Sequence, residues 1–249
     1  MPGPIPRVIH QIWLNGEPPD TLKRLQDRMM RFNPSYDLRV WRPEHFPPLY
    51  NAKQYAEVEG MSFKCDVVRY EILWRFPGIY IDWDVIFWRG FDDIFGDAGC
   101  SVMPDNFFVR EHNDKINNAI YGVGPGSPIA AALVERLERS SLMHKHPDVG
   151  GRSMQSGVEY FTSVVRSFPE TAVILPKRTF HSGLPYRCAM RAAQDPGYAT
   201  LANHFYNNMP GMLDAVEDDF VSGKIKDSDV PPPRPAMPPS ARRSPKTGP

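Results

Sequence analysis

The stretch from Phe63 to Trp88, "FKCDVVRYEILWRFPGIYIDWDVIFW", constrains the fold more than any other part of the chain. Its first half reads as a helix, with Ser62 as the cap and the Pro77-Gly78 pair as the stop. Its second half, from Gly78 on, reads as one strand so apolar that both faces must be covered, as in a sheet with crossover helices. Yet that strand carries Asp82 and Asp84. Successive strand side chains point to opposite faces, so the two carboxylates are expected to share one face while Trp83 takes the other. Burying an uncompensated carboxylate costs several kcal/mol and adjacent ones repel, so the pattern calls for a cation. Hard oxygen donors suit Mg²⁺ or Mn²⁺, which take one or two protein carboxylates and complete their shells with water and substrate phosphates. The plainer alternative is a strand end whose aspartates are solvated or paired with Arg75 or Arg89.

Short apolar runs alternate with helical patterns over most of the chain, the signature of an α/β sheet. "RVIHQIWL" reads as the first strand, "PDTLKRLQDRMMRF" as a helix with Asp20 at its N-cap, and "YDLRVW" as the second strand. Further on, "SPIAAALVERLERS" reads as a helix opened by Ser127 with Pro128 at its first position. "VEYFTSVVRSF" reads as another helix, followed by a late strand at "AVILP". The expected organisation is one folded domain over residues 1–222 and a tail over 223–249. That tail holds eight of the 27 prolines between Pro231 and Pro249, so it cannot pack a core. Its PxxP spacing and its Arg242, Arg243 and Lys246 are available to a partner.

Lys plus Arg equals Asp plus Glu at 29 each, so net charge gives no pull toward nucleic acid or an anionic membrane. The three cysteines, Cys65, Cys100 and Cys188, are too few and scattered for a disulfide framework or zinc cluster, and read as buried thiols. No charged n-region and apolar h-region open the chain, and no run is long enough to span a bilayer, so a cytoplasmic protein is expected.

Asp66 and Arg69 share a helix face at i and i+3, as either a site-facing pair or an ordinary surface ion pair. The helix runs straight into the aspartate strand, so this face can point at the same pocket. Haloacid-dehalogenase-type phosphatases also end an apolar strand with Asp-x-Asp, but they continue with Thr or Val where this chain has Ile86, and "GDAGCS" lacks their later second acid.

Taken together, these blocks resemble glycosyltransferase family 32, the DXD-containing sugar transferases, and more distantly the catalytic domains of large bacterial glucosylating toxins. "IPRVIHQIW", "NPSYDLRVW", "FKCDVVRYEILWRFPGIYIDWDV", "FDDIF" and "NNAIYGVGPGSP" resemble five family blocks in order. The chain departs from the pattern at Cys65, Pro77, Ser127 and Asn208-Met209. The resemblance implies a GT-A fold, a Rossmann-like sandwich with a mixed, mostly parallel sheet. It implies transfer of a hexose from a UDP- or GDP-sugar to an acceptor hydroxyl with retention of anomeric configuration, the acceptor being a glycan, lipid, protein or modified nucleobase. By motif position, Asp82 and Asp84 would hold Mn²⁺ or Mg²⁺ on the donor diphosphate, with His204 as a third contact. Asp66 and Arg69 would grip the donor sugar, Tyr80 would lie near the nucleotide, and His10, Gln11 and Trp13 would line its base. An inactive sugar-nucleotide or glycan-binding module and a sugar nucleotidyltransferase are the alternatives; the latter normally brings a phosphate-gripping loop near its start, and none is seen before Asp20.

Overall fold

The computed structural model describes residues 3–58, 60–95, 103–111, 114–139, 156–180, 202–204 and 212–225. In chain order the strands are β1 Val8–Ile12, β2 Asp37–Trp41, β3 Gly78–Ile81, β4 Val85–Phe87, β5 Asn106–Arg110, β6 Ile116–Val123, β7 Ile174–Leu175 and β8 Ala202–His204. The helices are α1 Asp20–Phe32, α2 Ala52–Glu57, α3 Met61–Arg75, α4 Phe91–Phe95, α5 Pro128–Arg139, α6 Val158–Arg166 and α7 Met212–Val221. Six strands form one sheet in the order β2-β1-β3-β6-β5-β7, and β4 pairs with β8 in a separate ribbon. β1 runs parallel to β2 and β3, and β5 to β7, while β6 is antiparallel to both β3 and β5. The result is the expected α/β sandwich with a mixed, mostly parallel sheet.

Strand alternation divides the apolar residues between two cores. Ile79 and Ile81 of β3 enter one with Met29, Phe32, Phe87 and Phe91, whereas Tyr80 enters the other with Val67, Ile72, Leu133 and Phe161. Helix α1 buries the stripe Leu22, Leu25, Met29 and Phe32 that its sequence period indicates. Helix α3 is different, being buried without interruption from Asp66 to Leu73. A helix enclosed on all sides carries its polar residues inward, where each needs a partner. Glu71 meets that need by accepting the backbone N–H groups of Tyr50 and Asn51 at 2.7 and 2.6 Å. Gly78 lets α3 hand over to β3 closely, since a Cβ there would lie 2.6 Å from the Val8 carbonyl oxygen and 2.7 Å from His10 Nε2.

Several local expectations need correction. The run from Gly78 to Trp88 is two strands in different sheets, with Asp82, Trp83 and Asp84 in the break between them. Asp20 is the first helical residue of α1 after Pro19 and makes no capping bond. Ser62 lies inside α3, which starts at Met61 after Gly60, whose φ of 99° glycine adopts readily. Ser127 does open α5, its Oγ accepting the Ala130 N–H at 3.3 Å. Strands β5 and β6 were not anticipated as elements. Gly223 to Ile225, assigned to the tail from sequence, extend the folded part: the Ile225 N–H donates to the Asp219 carbonyl at 3.0 Å and its side chain is buried. The remaining tail, Cys100 and Cys188 lie outside the described residues.

Candidate active site

Beyond Ile81 the chain leaves the main sheet. The Asp82 N–H still donates to the Ala119 carbonyl at 2.9 Å; Trp83 and Asp84 then form a bend before β4 begins. The two aspartates thus flank a corner at the carboxyl end of β3, beside the carboxyl end of β1, where open α/β sheets place their ligands. Their relation is set by this bend and not by the strand pleat. Asp82 and Asp84 are both half-buried, and Trp83 is buried.

Helix α3 delivers Asp66 and Arg69 to the same corner. The two side chains are 8% and 6% exposed, which excludes a surface ion pair. Arg69 Nη2 lies 3.4 Å from Asp66 Oδ1 and 3.4 Å from Asp82 Oδ1, so one guanidinium serves two carboxylates. Arg69 Nη1 also donates to the Asn118 carbonyl at 2.8 Å, and the guanidinium carbon stands 4.6 Å from the Tyr80 ring centre. Tyr80 donates its hydroxyl to Asp82 Oδ1. Asp66 accepts from Asn118 Nδ2 at 2.8 Å and from the Ser156 hydroxyl at 3.1 Å. Burial pushes the Asp66 carboxyl up to about 6, against the pull of Arg69 and helped by the Asp82 charge. Burial likewise pushes the neighbouring Cys65 thiol up to about 12, which makes it a poor nucleophile at neutral pH.

Arg75 and Arg89, the alternative partners for the aspartates, pair with Glu71 at 3.6 Å and Asp93 at 3.7 Å. Backbone pairing of β4 with β8 sets His204 opposite Val85, the residue after Asp84. Among the described residues no three His, Cys, Asp or Glu side chains gather as a complete metal cage. The carboxylates of half-buried Asp82 and Asp84 are hard oxygen donors of the kind found in Mg²⁺ or Mn²⁺ sites that leave positions for water and phosphate.

The β1 residues divide by accessibility. Trp13, half-buried, meets Trp83 edge-on at 5.4 Å and lines an open groove of about 330 Å³ with Asn15, Gly16, Glu17, Arg42 and Glu44. Arg42 ties the groove's two sides by donating to the Gly16 carbonyl at 2.9 Å and pairing with Glu17 at 3.0 Å. Gln11 is buried and accepts from Gln26 Nε2 at 2.6 Å. His10 is fully enclosed, its Nδ1 accepting the Trp41 indole N–H at 3.0 Å while its ring stacks on that indole. It therefore supports the wall of the site and does not face it. Burial lowers the His10 imidazole to about 4, with the Pro77 carbonyl acting in the opposite sense and Arg39 in the same one. Because the folded value lies below the ordinary one, the stability linked to neutral His10 is present above about pH 6.5 and is lost as pH falls through about 4. On the order of 3 kcal/mol is at stake. Thermal melts of wild type and His10→Asn should therefore converge between those pH values, and parallel curves would show that His10 does not drive the acid limb.

Residues 19–99, from the turn before α1 to the segment after α4, match the family described as glycosyltransferase sugar-binding region containing DXD motif. Over that stretch the chain is similar to a DXD-type glycosyltransferase region. An inositol phosphoceramide mannosyltransferase of Schizosaccharomyces pombe is 27% identical over 155 residues, covering 57% of this chain and 40% of the relative. An uncharacterized glycosyltransferase of Acanthamoeba polyphaga mimivirus is 28% identical over 102 residues, 37% of this chain and 40% of the relative. The chain thus spans about two fifths of the length of these curated relatives. Among solved structures, the PaToxG glycosyltransferase superposes with a TM-score of 0.54 at 16% identity, over 68% of this chain and 71% of that one. A glycosyltransferase involved in glycosylation of the major capsid of PBCV-1 gives a TM-score of 0.51 at 12% identity, over 84% of this chain and 98% of that one. At such identities the likeness is one of fold, and the fold is GT-A. No helix among the described residues is long and apolar enough to cross a membrane.

Asp66, Arg69, Tyr80 and Asp82 are joined by direct contacts, Asp84 follows two residues on in the same bend, Trp13 meets the intervening Trp83, and His204 pairs in register with Val85. Sequence reasoning missed Asn118 and Ser156, which hold Asp66, and Tyr121, whose hydroxyl donates to the Arg69 carbonyl at 3.2 Å. A signal for Asn118 existed: "INNAIYGV" is an apolar strand interrupted by two polar residues, the same anomaly that exposed the aspartates.

Proposed function

We propose that this chain is a metal-dependent glycosyltransferase that moves a hexose from a UDP- or GDP-sugar to an acceptor hydroxyl with retention of anomeric configuration. The observation that carries the reading is the cluster of buried Asp66 and Arg69 with half-buried Asp82 at the DXD bend. Replacing such a buried charge network by apolar residues is often neutral or stabilising, so its presence at a strand end beside an open groove favours a role in binding over one in support.

The groove at Trp13 takes the nucleoside, and the diphosphate lies toward Asp82 and Asp84. These two residues, with His204, would hold Mn²⁺ or Mg²⁺. When bound, the cation neutralises the charge that develops on the departing nucleoside diphosphate. Asp66 and Arg69 hold sugar hydroxyls, Asp66 as acceptor and Arg69 as donor. Asp66 is already held by Asn118 and Ser156, and Arg69 by the Asn118 carbonyl, so little reorganisation accompanies the reaction. Tyr80 fixes the orientation of Asp82 through its hydroxyl. The acceptor hydroxyl attacks the face from which the diphosphate departs: the bond from the anomeric carbon to the phosphate oxygen breaks, a bond to the acceptor oxygen forms, and the hydroxyl proton leaves with the departing phosphate.

The test is incubation of the protein with Mn²⁺ and a panel of UDP- and GDP-sugars, following release of the nucleoside diphosphate, with Asp84→Asn as control. Release from one donor, lost in the variant, is the expected result. Donor binding without release, with or without candidate acceptors, would point to a binding module, and release of pyrophosphate would point to a nucleotidyltransferase.

A further inference from the structure

We propose that Trp83, the residue between the two aspartates, is a positioning residue that locks the metal-facing bend to the nucleoside-facing end of β1. This rests on the functional reading above and adds to it how the two halves of the donor site keep their spacing.

The pairing of β1 with β3 ends at His10 and Tyr80, because β3 leaves the sheet after Ile81. Ile12 lies beyond that last pair, so β3 offers its carbonyl no ladder partner. The Trp83 indole supplies one, Nε1 donating to the Ile12 oxygen at 3.0 Å. A single ring thus replaces the missing rung, and it also makes an edge contact with Trp13, the residue just after β1, at 5.4 Å. Trp83 is only 8% exposed. It is packed among Leu22 and Leu25 of α1, Ile86 of β4, Val216 of α7 and Ile225. Asp82 and Asp84 are its immediate chain neighbours, so neither backbone can shift relative to β1 without breaking the indole bond or opening this core. Core packing of that density resists such shifts. The spacing between the carboxylates and Trp13 is therefore fixed before any donor arrives, which reduces the ordering cost of binding.

Trp83→Phe tests this, since it deletes the N–H donor and keeps an aromatic ring in the core. Three quantities are compared in wild type and variant full-length protein: the Kd for UDP or GDP at saturating Mn²⁺, the half-saturating Mn²⁺ at fixed nucleotide, and kcat at saturating donor and metal. A lost net hydrogen bond corresponds to roughly fivefold. Both the Kd and the half-saturating Mn²⁺ should rise by about that factor, with kcat within about twofold and nucleotide-free melting lowered by only a few degrees. A change confined to the metal, or no change in either, overturns the proposal while leaving the transferase reading intact. If Trp83→Phe does not fold, Trp83→His retains an N–H and should recover both affinities where Trp83→Leu does not; equal losses in His and Leu variants overturn it. Wild type that neither binds a nucleoside diphosphate nor releases one overturns both readings together.

Discussion

Asp84→Asn is expected to leave the fold unchanged and to remove turnover. The substitution keeps side-chain volume at a half-buried bend position, so the melting temperature should stay within about 2 °C. It removes a full negative charge from the corner where Asp82 and Asp84 flank Trp83. Altering groups one shell out from a metal typically costs ten- to a hundredfold, so loss of a direct ligand should cost at least about a hundredfold in kcat/KM. The measurement is nucleoside diphosphate release across a Mn²⁺ titration, beside a thermal melt. Full activity with an unchanged metal dependence would remove Asp84 from the site.

Arg69→Ala should damage the protein twice over. Arg69 is buried between Asp66 and Asp82, so its removal leaves two carboxylates without the guanidinium they share. Breaking a buried ion pair from one side costs about 3–5 kcal/mol. In a chain of this size that lowers the melting temperature by roughly 10 °C. At a temperature where the variant is still folded, donor KM should rise by at least about tenfold if Arg69 donates to the donor sugar as proposed. Arg69→Lys separates the two effects, restoring a charge but not the planar fork that spans Asp66, Asp82 and the Asn118 carbonyl. It should recover much of the melting loss and little of the KM. Recovery of both would indicate that Arg69 acts through charge alone. An Arg69→Ala variant with wild-type melting and wild-type KM would contradict the cluster geometry itself.

The fold was legible where one periodicity ran unbroken. Helix α1 showed its apolar stripe, and β1, β2 and β3 showed apolar runs between turn residues. The pair Asp66 and Arg69 was legible through helical spacing, although whether it faced solvent was not, because burial of α3 depends on α5 and the sheet packing against it. The bend at Asp82, Trp83 and Asp84 was hidden for a different reason. β3 and β4 are both apolar, and period-two alternation carries no mark of the point where a chain changes sheets. Strand β6 was obscured because Asn117 and Asn118 interrupt its apolar run, and the contacts of Asn118 with Asp66 and Tyr70 explain a polar residue there. The expected helix caps were displaced by one residue at Pro19 and by two at Gly60, neither of which offers a side-chain cap. His10 illustrates the remaining gap: a histidine in an apolar strand looks like a ligand until its Trp41 and Gly78 neighbours are known.

The core behind Trp83 joins residues from opposite ends of the sequence. Thr21 of α1 donates its hydroxyl to Glu217 of α7, 196 residues away, and Leu22 and Leu25 share an apolar cluster with Val216 and Ile225. Synthesis proceeds at about 5–20 residues per second, so the ribosome delivers α1 and both aspartates many seconds before it delivers their cover. During that interval the cluster of Leu22, Leu25 and Trp83 lacks the cover of Val216 and Ile225. The DXD bend is accordingly completed late, and a nascent chain stalled before residue 212 would present its aspartates on an unfinished corner.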